Sequence, residues 1–196
     1  NNGEKYQWTT RPLQENTKVA VYGRIQTNYY KSGTGSGGMV NVSKEVGILD
    51  ALIESPLVSV DQELLQVYKE WEKDNPFNSG TGWGNEPYSQ VEMPLPLEVA
   101  QAAAKRTDTA IVILGRSAGE DKDSKDEGGA YQLAQTEIEL LQTVRACHKS
   151  MVVLLNVGSI IDMKWVKEIN PDAVLYVWQG GMLGGYGICD VLTGKV

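Results

Sequence analysis

The sequence has little of what many enzymes use for catalysis, because its 196 residues contain one histidine and two cysteines. His148 stands beside Lys149 at the predicted end of a helix, where a positive charge interacts favourably with the helix dipole. A Ser-His-Asp or Cys-His enzyme would therefore lack a well-placed base. Cys147 and Cys189 lack metal-ligand spacing and are typical of small buried apolar residues, although a disulfide between them stays open. We predict neither a metal site nor a cofactor.

Basic charge and long apolar runs are scarce as well. The formal net charge of -7 argues against nucleic acid or an anionic membrane as a partner, since either would require a basic face. No apolar run approaches the roughly 20 residues that a membrane-spanning helix needs. Cysteines without an evident disulfide pattern favour a cytoplasmic location but do not determine it. We therefore expect a globular chain with no nucleic-acid or membrane partner.

Short apolar runs of the strand type alternate with amphipathic helical patterns along most of the chain. This alternation predicts an α/β fold, a three-layer α/β/α sandwich with a mostly parallel sheet, as a single domain over residues 1–196. Strands are expected at 18–23, 57–60, 110–114, 151–157 and 173–178. Helices are expected at 43–54 (with Ser43 as N-cap), 63–74, 97–105, 136–146, 160–169 and 185–192.

An acidic loop follows the most apolar strand of the pattern, 110–114. In parallel α/β sheets, ligands collect beyond the carboxyl ends of the strands, so Glu120 and Asp121 are the first candidates for chemistry. A solvated run of charges is the main alternative. A calcium loop is weaker, because Asp121, Asp123 and Asp126 break the alternate-residue pattern of such sites.

Two glycine-rich or irregular segments are further candidates for a site. The loop KSGTGSGG at 31–38 follows a strand, but it has neither the Walker spacing nor the dinucleotide fingerprint. A nucleotide site, a close backbone approach to a sugar or neighbouring domain, and a plain flexible loop all stay open for it. Residues 75–94 form an excursion rich in glycine, proline and aromatics, and loops of that length are usually functional or mobile.

Several segments together resemble glycoside hydrolase family 3, and more narrowly the α/β-sandwich domain of its β-glucosidases. The GTGSGG loop after VAVYG is similar to that domain's first strand and loop. The other matching segments are IVILGRSAGED, TEIELLQ, MVVLLNVGSIIDM and the ending AVLYVWQGGMLGGYGICDVLTGKV. The resemblance runs from about Lys18 onward, and the ordered series is more specific than any one segment.

The resemblance implies retaining hydrolysis of terminal β-linked sugars by two carboxylates, one a nucleophile and the other a general acid/base. It implies that the acid/base is Glu120 of SAGED, beside which Asp121 and Asp123 add negative charge that favours the protonated acid. It assigns the nucleophilic aspartate to a (β/α)8 barrel domain of the same polypeptide. No Ser-Asp-Trp-like nucleophile segment occurs in these 196 residues, so we expect this chain alone to be inactive.

Aromatic side chains are the expected platforms for a β-linked oligosaccharide or β-glucoside. Tyr30 near the glycine-rich loop and Trp83 in the excursion are the candidates, whereas Trp165 and Trp178 are expected in the core. Packing of Tyr30 and Trp83 as ordinary surface aromatics is the alternative.

Polar groups from the strand-end loops complete the expected substrate-binding set. They are Ser36, Arg116 and Asp121. An alternative function is a non-catalytic α/β module that binds a ligand or stabilises an adjacent domain through its strand-end loops.

Overall fold

The computed structural model describes residues 13–196, with the backbone alone at Gly37 and Met39. Its centre is one five-stranded sheet in which all pairs are parallel and the order is β2-β1-β3-β4-β5. The predicted parallel sheet is therefore confirmed. The strands are β1 (Thr17–Tyr22), β2 (Val58–Val60), β3 (Thr109–Arg116), β4 (Met151–Val157) and β5 (Ala173–Tyr176).

Six α-helices connect or follow these strands within the described residues. The segment 75–96, between the second and third helices, contains neither helix nor strand. The helices are α1 (Ile48–Glu54), α2 (Gln62–Asp74), α3 (Leu97–Arg106), α4 (Gln135–Cys147), α5 (Trp165–Ile169) and α6 (Gly184–Leu192). None of the helices in this part of the chain is long and apolar enough to cross a membrane.

Alternate residues of the strands bury their side chains on opposite faces of the sheet. On β3, Ala110, Val112 and Leu114 pack with buried residues of α2 to α5, whereas Ile111 and Ile113 pack with α1 and α6. Since both faces are covered, β3 and β4 are apolar along almost their whole length. The result is the three-layer α/β/α sandwich predicted from the sequence.

Helix α1 begins five residues later than predicted, so Ser43 is not its N-cap. Val46 instead donates its amide to the carbonyl of Met182 at 2.7 Å and accepts from the amide of Gly185 at 3.1 Å. This pairing holds the segment before α1 against the start of α6 in a non-helical conformation. The helix can begin only at Ile48, after that contact ends.

Helix α5 is also shorter than the predicted helix 160–169, because it begins at Trp165. The preceding amides bind elsewhere: Ile161 donates to the hydroxyl of Tyr176, and Asp162 donates to the carbonyl of Tyr131, at 2.8 and 2.7 Å. These long-range bonds replace the first helical turn.

The lone histidine is a buried neutral group rather than a charge at a helix end. His148 Nε2 lies 2.7 Å from the hydroxyl of Tyr22, and burial together with nearby Arg145 lowers its pKa to about 4. The predicted charge–dipole role was therefore wrong, because the enclosed ring is uncharged near neutral pH. Cys147 and Cys189 are free, so the disulfide that the sequence left open does not form.

Candidate active-site cleft

The loops after β1 and β3 meet at the point where the strand order reverses. From β1 the chain goes on to β2 at one edge, and from β3 it goes on to β4 on the other side. Between these diverging connections, Thr34 donates its amide to the carbonyl of Ala118 at 2.6 Å, and Glu120 donates its amide to the carbonyl of Thr34 at 3.4 Å. Open α/β sheets bind ligands at such a switch point.

Glycines allow these two loops to approach each other closely. Gly119 has φ +156°, and a Cβ there would lie 2.2 Å from the Thr34 carbonyl oxygen. Gly35 has φ +97°, and a Cβ there would lie 2.9 Å from Cβ of Glu120. The glycine-rich loop thus makes a close backbone approach, and its partner is the acidic loop of the same chain.

A cleft of about 470 Å³ opens between residues 29–38 and residues 79–86. Glu120 is exposed next to Gly35, which lines the cleft, and its Oε2 accepts from Ser36 Oγ at 3.2 Å and lies 3.5 Å from the Ser36 amide. The indole of Trp83, 48 % exposed, lines the cleft with Cζ2 3.5 Å from where a Gly35 Cβ would stand. Three of the residues singled out from the sequence, Ser36, Trp83 and Glu120, are therefore neighbours around Gly35.

Tyr30 and Asp121, also singled out, occupy opposite environments. Tyr30 lines the cleft, but its ring is buried against Phe77 in an edge-on contact with 6.2 Å between centroids. Burial raises the pKa of its phenol. Asp121 is exposed beside Glu120 and has a left-handed backbone with φ +56°. Tyr30 is therefore no exposed platform, whereas Asp121 is open to solvent.

Arg116 does not reach the cleft with a free donor. Its guanidinium forms a two-pronged ion pair with Glu137, 2.6 Å from Nη1 to Oε1 and 2.7 Å from Nη2 to Oε2. Its other three N–H groups donate to the carbonyls of Gly115, Ala130 and Gln132. With all five donors used and the side chain buried, Arg116 has none left for a sugar. It joins the two ends of the acidic loop instead.

A similar arrangement holds the excursion. The buried guanidinium of Arg24 donates to the carbonyls of Asn75 and Val91, at 3.0 and 3.3 Å, and so links its two ends. The backbone amides of Arg24 and Met93 donate to the carboxylate of Glu92. Burial raises the pKa of Glu92 to about 7 although these amides lower it. The excursion, irregular in sequence, is therefore firmly attached beside the cleft.

Asn156 was not singled out from the sequence, and its side chain joins the backbone after β1 to the backbone after β5. The Asn156 side chain is fully buried, accepts from the Tyr30 amide at 2.8 Å, and donates to the carbonyls of Tyr30 and Trp178 at 2.9 and 2.7 Å. The sequence did contain a clue to this residue, because Asn156 is the only polar residue in the apolar run that forms β4. Trp178, expected in the core, is 49 % exposed beyond the end of β5, whereas Trp165 is buried as predicted.

The acidic loop gives no support to the calcium alternative. Within residues 13–196, no three or more His, Cys, Asp or Glu side chains come together as a metal would require. The carboxylate of Asp126 accepts a hydrogen bond from the side-chain amide of Gln132, with 2.8 Å between Nε2 and Oδ1. Asp121, Asp123 and Asp126 are exposed.

Comparison with known proteins gives a consistent set of relatives. Residues 5–196 match the profile described as "Glycosyl hydrolase family 3 C-terminal domain". A "Beta-glucosidase" of Ruminococcus albus is 51% identical over 185 residues, which are 94% of this chain and 19% of that protein. "Beta-glucosidase A" of Butyrivibrio fibrisolvens is 28% identical, with 94% of this chain and 24% of that protein covered.

Solved structures agree in fold. A beta-glucosidase from Paenibacillus barengoltzii has a TM-score of 0.90 and 45% identity, covering 94% of this chain and 20% of that one. Beta-glucosidase 3B from Thermotoga neapolitana, in complex with glucose, has a TM-score of 0.82 and 30% identity, covering 94% and 26%. The chain thus spans about a fifth to a quarter of the length of these relatives. From the profile match over nearly its whole length, we conclude that the chain belongs to the glycosyl hydrolase family 3 C-terminal domain family.

Proposed function

We propose that this chain supplies the general acid/base wall of the active site of a retaining β-glycosidase of the β-glucosidase type. The observation that supports this most directly is the exposed carboxylate of Glu120, held by Ser36 next to Gly35 and Trp83, both of which line the cleft. The relatives named as beta-glucosidases support the substrate class. The nucleophile comes from a (β/α)8 barrel domain of the same polypeptide, and the chain alone is inactive.

The proposed chemistry assigns Glu120 two steps. Its carboxyl group donates a proton to the glycosidic oxygen while the nucleophile bonds to the anomeric carbon and the leaving group departs. Its carboxylate then takes a proton from the water that attacks the glycosyl–enzyme intermediate. The Ser36 hydroxyl orients Oε2 for both steps. Trp83 offers a flat face to a sugar ring, and Asp121 offers an acceptor to a sugar hydroxyl.

The test uses the full-length polypeptide that contains this chain, with Glu120→Ala and Glu120→Gln. We expect hydrolysis of substrates with poor leaving groups to fall by about 10²- to 10⁴-fold. With a dinitrophenyl glycoside, bond cleavage needs little acid, so azide should restore turnover of Glu120→Ala and give the β-glycosyl azide.

The matched control is Glu127→Gln, which removes another exposed carboxylate of the same loop, one that makes no contact with Ser36 or Gly35 in the structure as described. It should leave every rate within twofold. Unchanged hydrolysis in both Glu120 variants, or absence of azide rescue, would contradict the acid/base role and favour the non-catalytic module. Turnover by the 196-residue chain alone would contradict the need for a second domain.

A further inference from the structure

A second carboxylate, Glu86, lines the cleft next to the hydroxyl of Tyr30. Its Oε1 atom and the hydroxyl of Tyr30 are both buried, and neither makes a hydrogen bond of normal geometry in the described structure. Both residues line the cleft. A buried polar group without a well-formed hydrogen bond costs about 1–3 kcal/mol, so a polar ligand that bonds to both groups would gain that free energy.

The surroundings of Glu86 fix its backbone rather than its carboxyl group. The Lys122 ammonium donates to the backbone carbonyl of Glu86 and stands 5.0 Å from the ring centre of Tyr88. Burial raises the pKa of the Glu86 carboxyl, although the nearby Tyr30 hydroxyl and Lys122 lower it in part. Because Lys122 binds the backbone carbonyl, the carboxyl group of Glu86 stays available to a polar ligand in the cleft.

The segment 86–88 is attached directly to the loop that carries Glu120. Ser117 donates its hydroxyl to the carbonyl of Pro87 at 2.7 Å and its amide to the carbonyl of Tyr88 at 2.8 Å. The hydroxyl of Tyr88 donates to the carbonyl of Asp123 at 2.5 Å. Glu86 and Glu120 are thus held in one rigid frame, as two groups that handle the same substrate need to be.

From this arrangement we infer that Glu86, supported by Tyr30, binds a hydroxyl of the leaving-group sugar and so determines specificity for it. The inference rests on the proposed function. A sugar hydroxyl can donate to the carboxylate and accept from the phenol, so a single group satisfies both. Trp83, three residues before Glu86 on the same wall of the cleft, can stack on the ring whose edge carries that hydroxyl.

We assign the cleft to the leaving-group sugar rather than to the terminal sugar because of where the nucleophile must lie. In retaining glycosidases the terminal sugar lies between the nucleophile and the acid/base. If the nucleophile comes from another domain, the terminal sugar lies on that domain's side of Glu120. The cleft that Trp83 and Glu86 line is built from this chain's own residues, so we assign the departing group to it.

The test compares two substrates of the full-length polypeptide. Cellobiose has a sugar as leaving group, and a nitrophenyl β-glucoside has a leaving group without hydroxyls. Glu86→Gln should lower kcat/KM for cellobiose about fivefold, and Glu86→Ala about tenfold or more, because a charge-assisted hydrogen bond is weakened or lost. Both should leave the nitrophenyl glucoside within twofold. Tyr30→Phe should change the ratio in the same direction, and Glu127→Gln should not change it.

A set of cellobiose analogues, each lacking one hydroxyl of the leaving sugar, gives a sharper result. One analogue should react about tenfold more slowly than cellobiose in the parent, yet at the same rate as cellobiose in Glu86→Ala, because the interaction is already absent.

The assignment would be overturned if the Glu86 variants lost kcat/KM equally on both substrates or lost it on neither. It would also be overturned if, for every analogue, the loss from the missing hydroxyl simply multiplied the loss from Glu86→Ala. Failure of the proposed function is distinguishable, since the unmodified polypeptide would then hydrolyse neither substrate, or Glu120 variants would lack the acid/base behaviour.

Discussion

Replacing Arg116 by methionine should destabilise the chain strongly, because it breaks a buried ion pair that also ties down the acidic loop. Arg116 is 1% exposed and Glu137 is 4% exposed, so neither charge can be rescued by water. Methionine fills similar space but, among residues 13–196, leaves the Glu137 carboxylate with only the amide of Ala134, at 2.8 Å, as a donor. It also removes a donor from the carbonyls of Gly115, Ala130 and Gln132, of which Gln132 still accepts from the amide of Gly129 at 2.9 Å.

The magnitude follows from the cost of an uncompensated buried charge. Removing one partner of a buried pair costs about 3–5 kcal/mol, whereas replacing both by apolar residues is often nearly neutral. Arg116→Met should therefore lower the free energy of unfolding by about 4 kcal/mol, out of a total of about 5–15 kcal/mol for a typical domain. Adding Glu137→Leu should recover at least half of that loss, because no unpaired charge remains.

The assay is urea unfolding of the 196-residue chain at pH 7, followed by tryptophan fluorescence and by far-UV circular dichroism. Hydrogen exchange of the amides in 117–134 should also accelerate in Arg116→Met, since the residue joins both ends of that loop. A loss below about 1 kcal/mol, or a double variant whose loss equals the sum of the single ones, would refute the reasoning.

Two further predictions concern the dependence of stability on pH. Burial raises the pKa of Glu92 to about 7, so its contribution is fully present below about pH 4.5 and is lost as the pH rises through 7. Between pH 4.5 and pH 8, the free energy of unfolding of Glu92→Gln should therefore rise by about 3 kcal/mol relative to that of the parent, as measured by urea titration. A difference between the two proteins that does not change with pH would contradict this. The pKa of His148 is lowered to about 4, so its contribution is present above pH 6.5 and is lost as the pH falls toward 4. On acidification, the free energy of unfolding of His148→Gln should thus fall by about 2 kcal/mol less than that of the parent. Parallel curves of the free energy of unfolding against pH for the two proteins would contradict this.

The order of elements was predictable because it depends on local patterns. Residues 110–114 are continuously apolar, and residues 151–157 are apolar except for Asn156, a pattern typical of strands that are covered on both faces. The helical stripes of α2 and α4 were equally clear, and their bounds differ from the prediction by one residue. Glu120 could be chosen as the candidate acid/base from the sequence because it follows the end of an apolar strand and matches the segment on which the family resemblance rests.

The partners of the polar residues were not predictable in the same way. Arg116 was expected to contact substrate because it stands next to the acidic loop, yet it is turned inward to Glu137, 21 residues further on. Glu86 could not be singled out, because it is one of several polar residues in the irregular segment 75–94 and no local pattern distinguishes it. Ser43 had the chemistry of an N-cap, but a contact of Val46 with the start of α6 displaced the helix.

The sequence by itself therefore determined that this chain forms a parallel sheet covered by helices, and that Glu120 lies in the loop after its most apolar strand. Only the tertiary structure decided which groups surround Glu120. The physical reason is that periodicity and propensity act over a few residues, whereas the cleft is assembled from loops about 50 to 90 residues apart. Those loops are brought together by the strand order β2-β1-β3-β4-β5, which makes β1 and β3 neighbours.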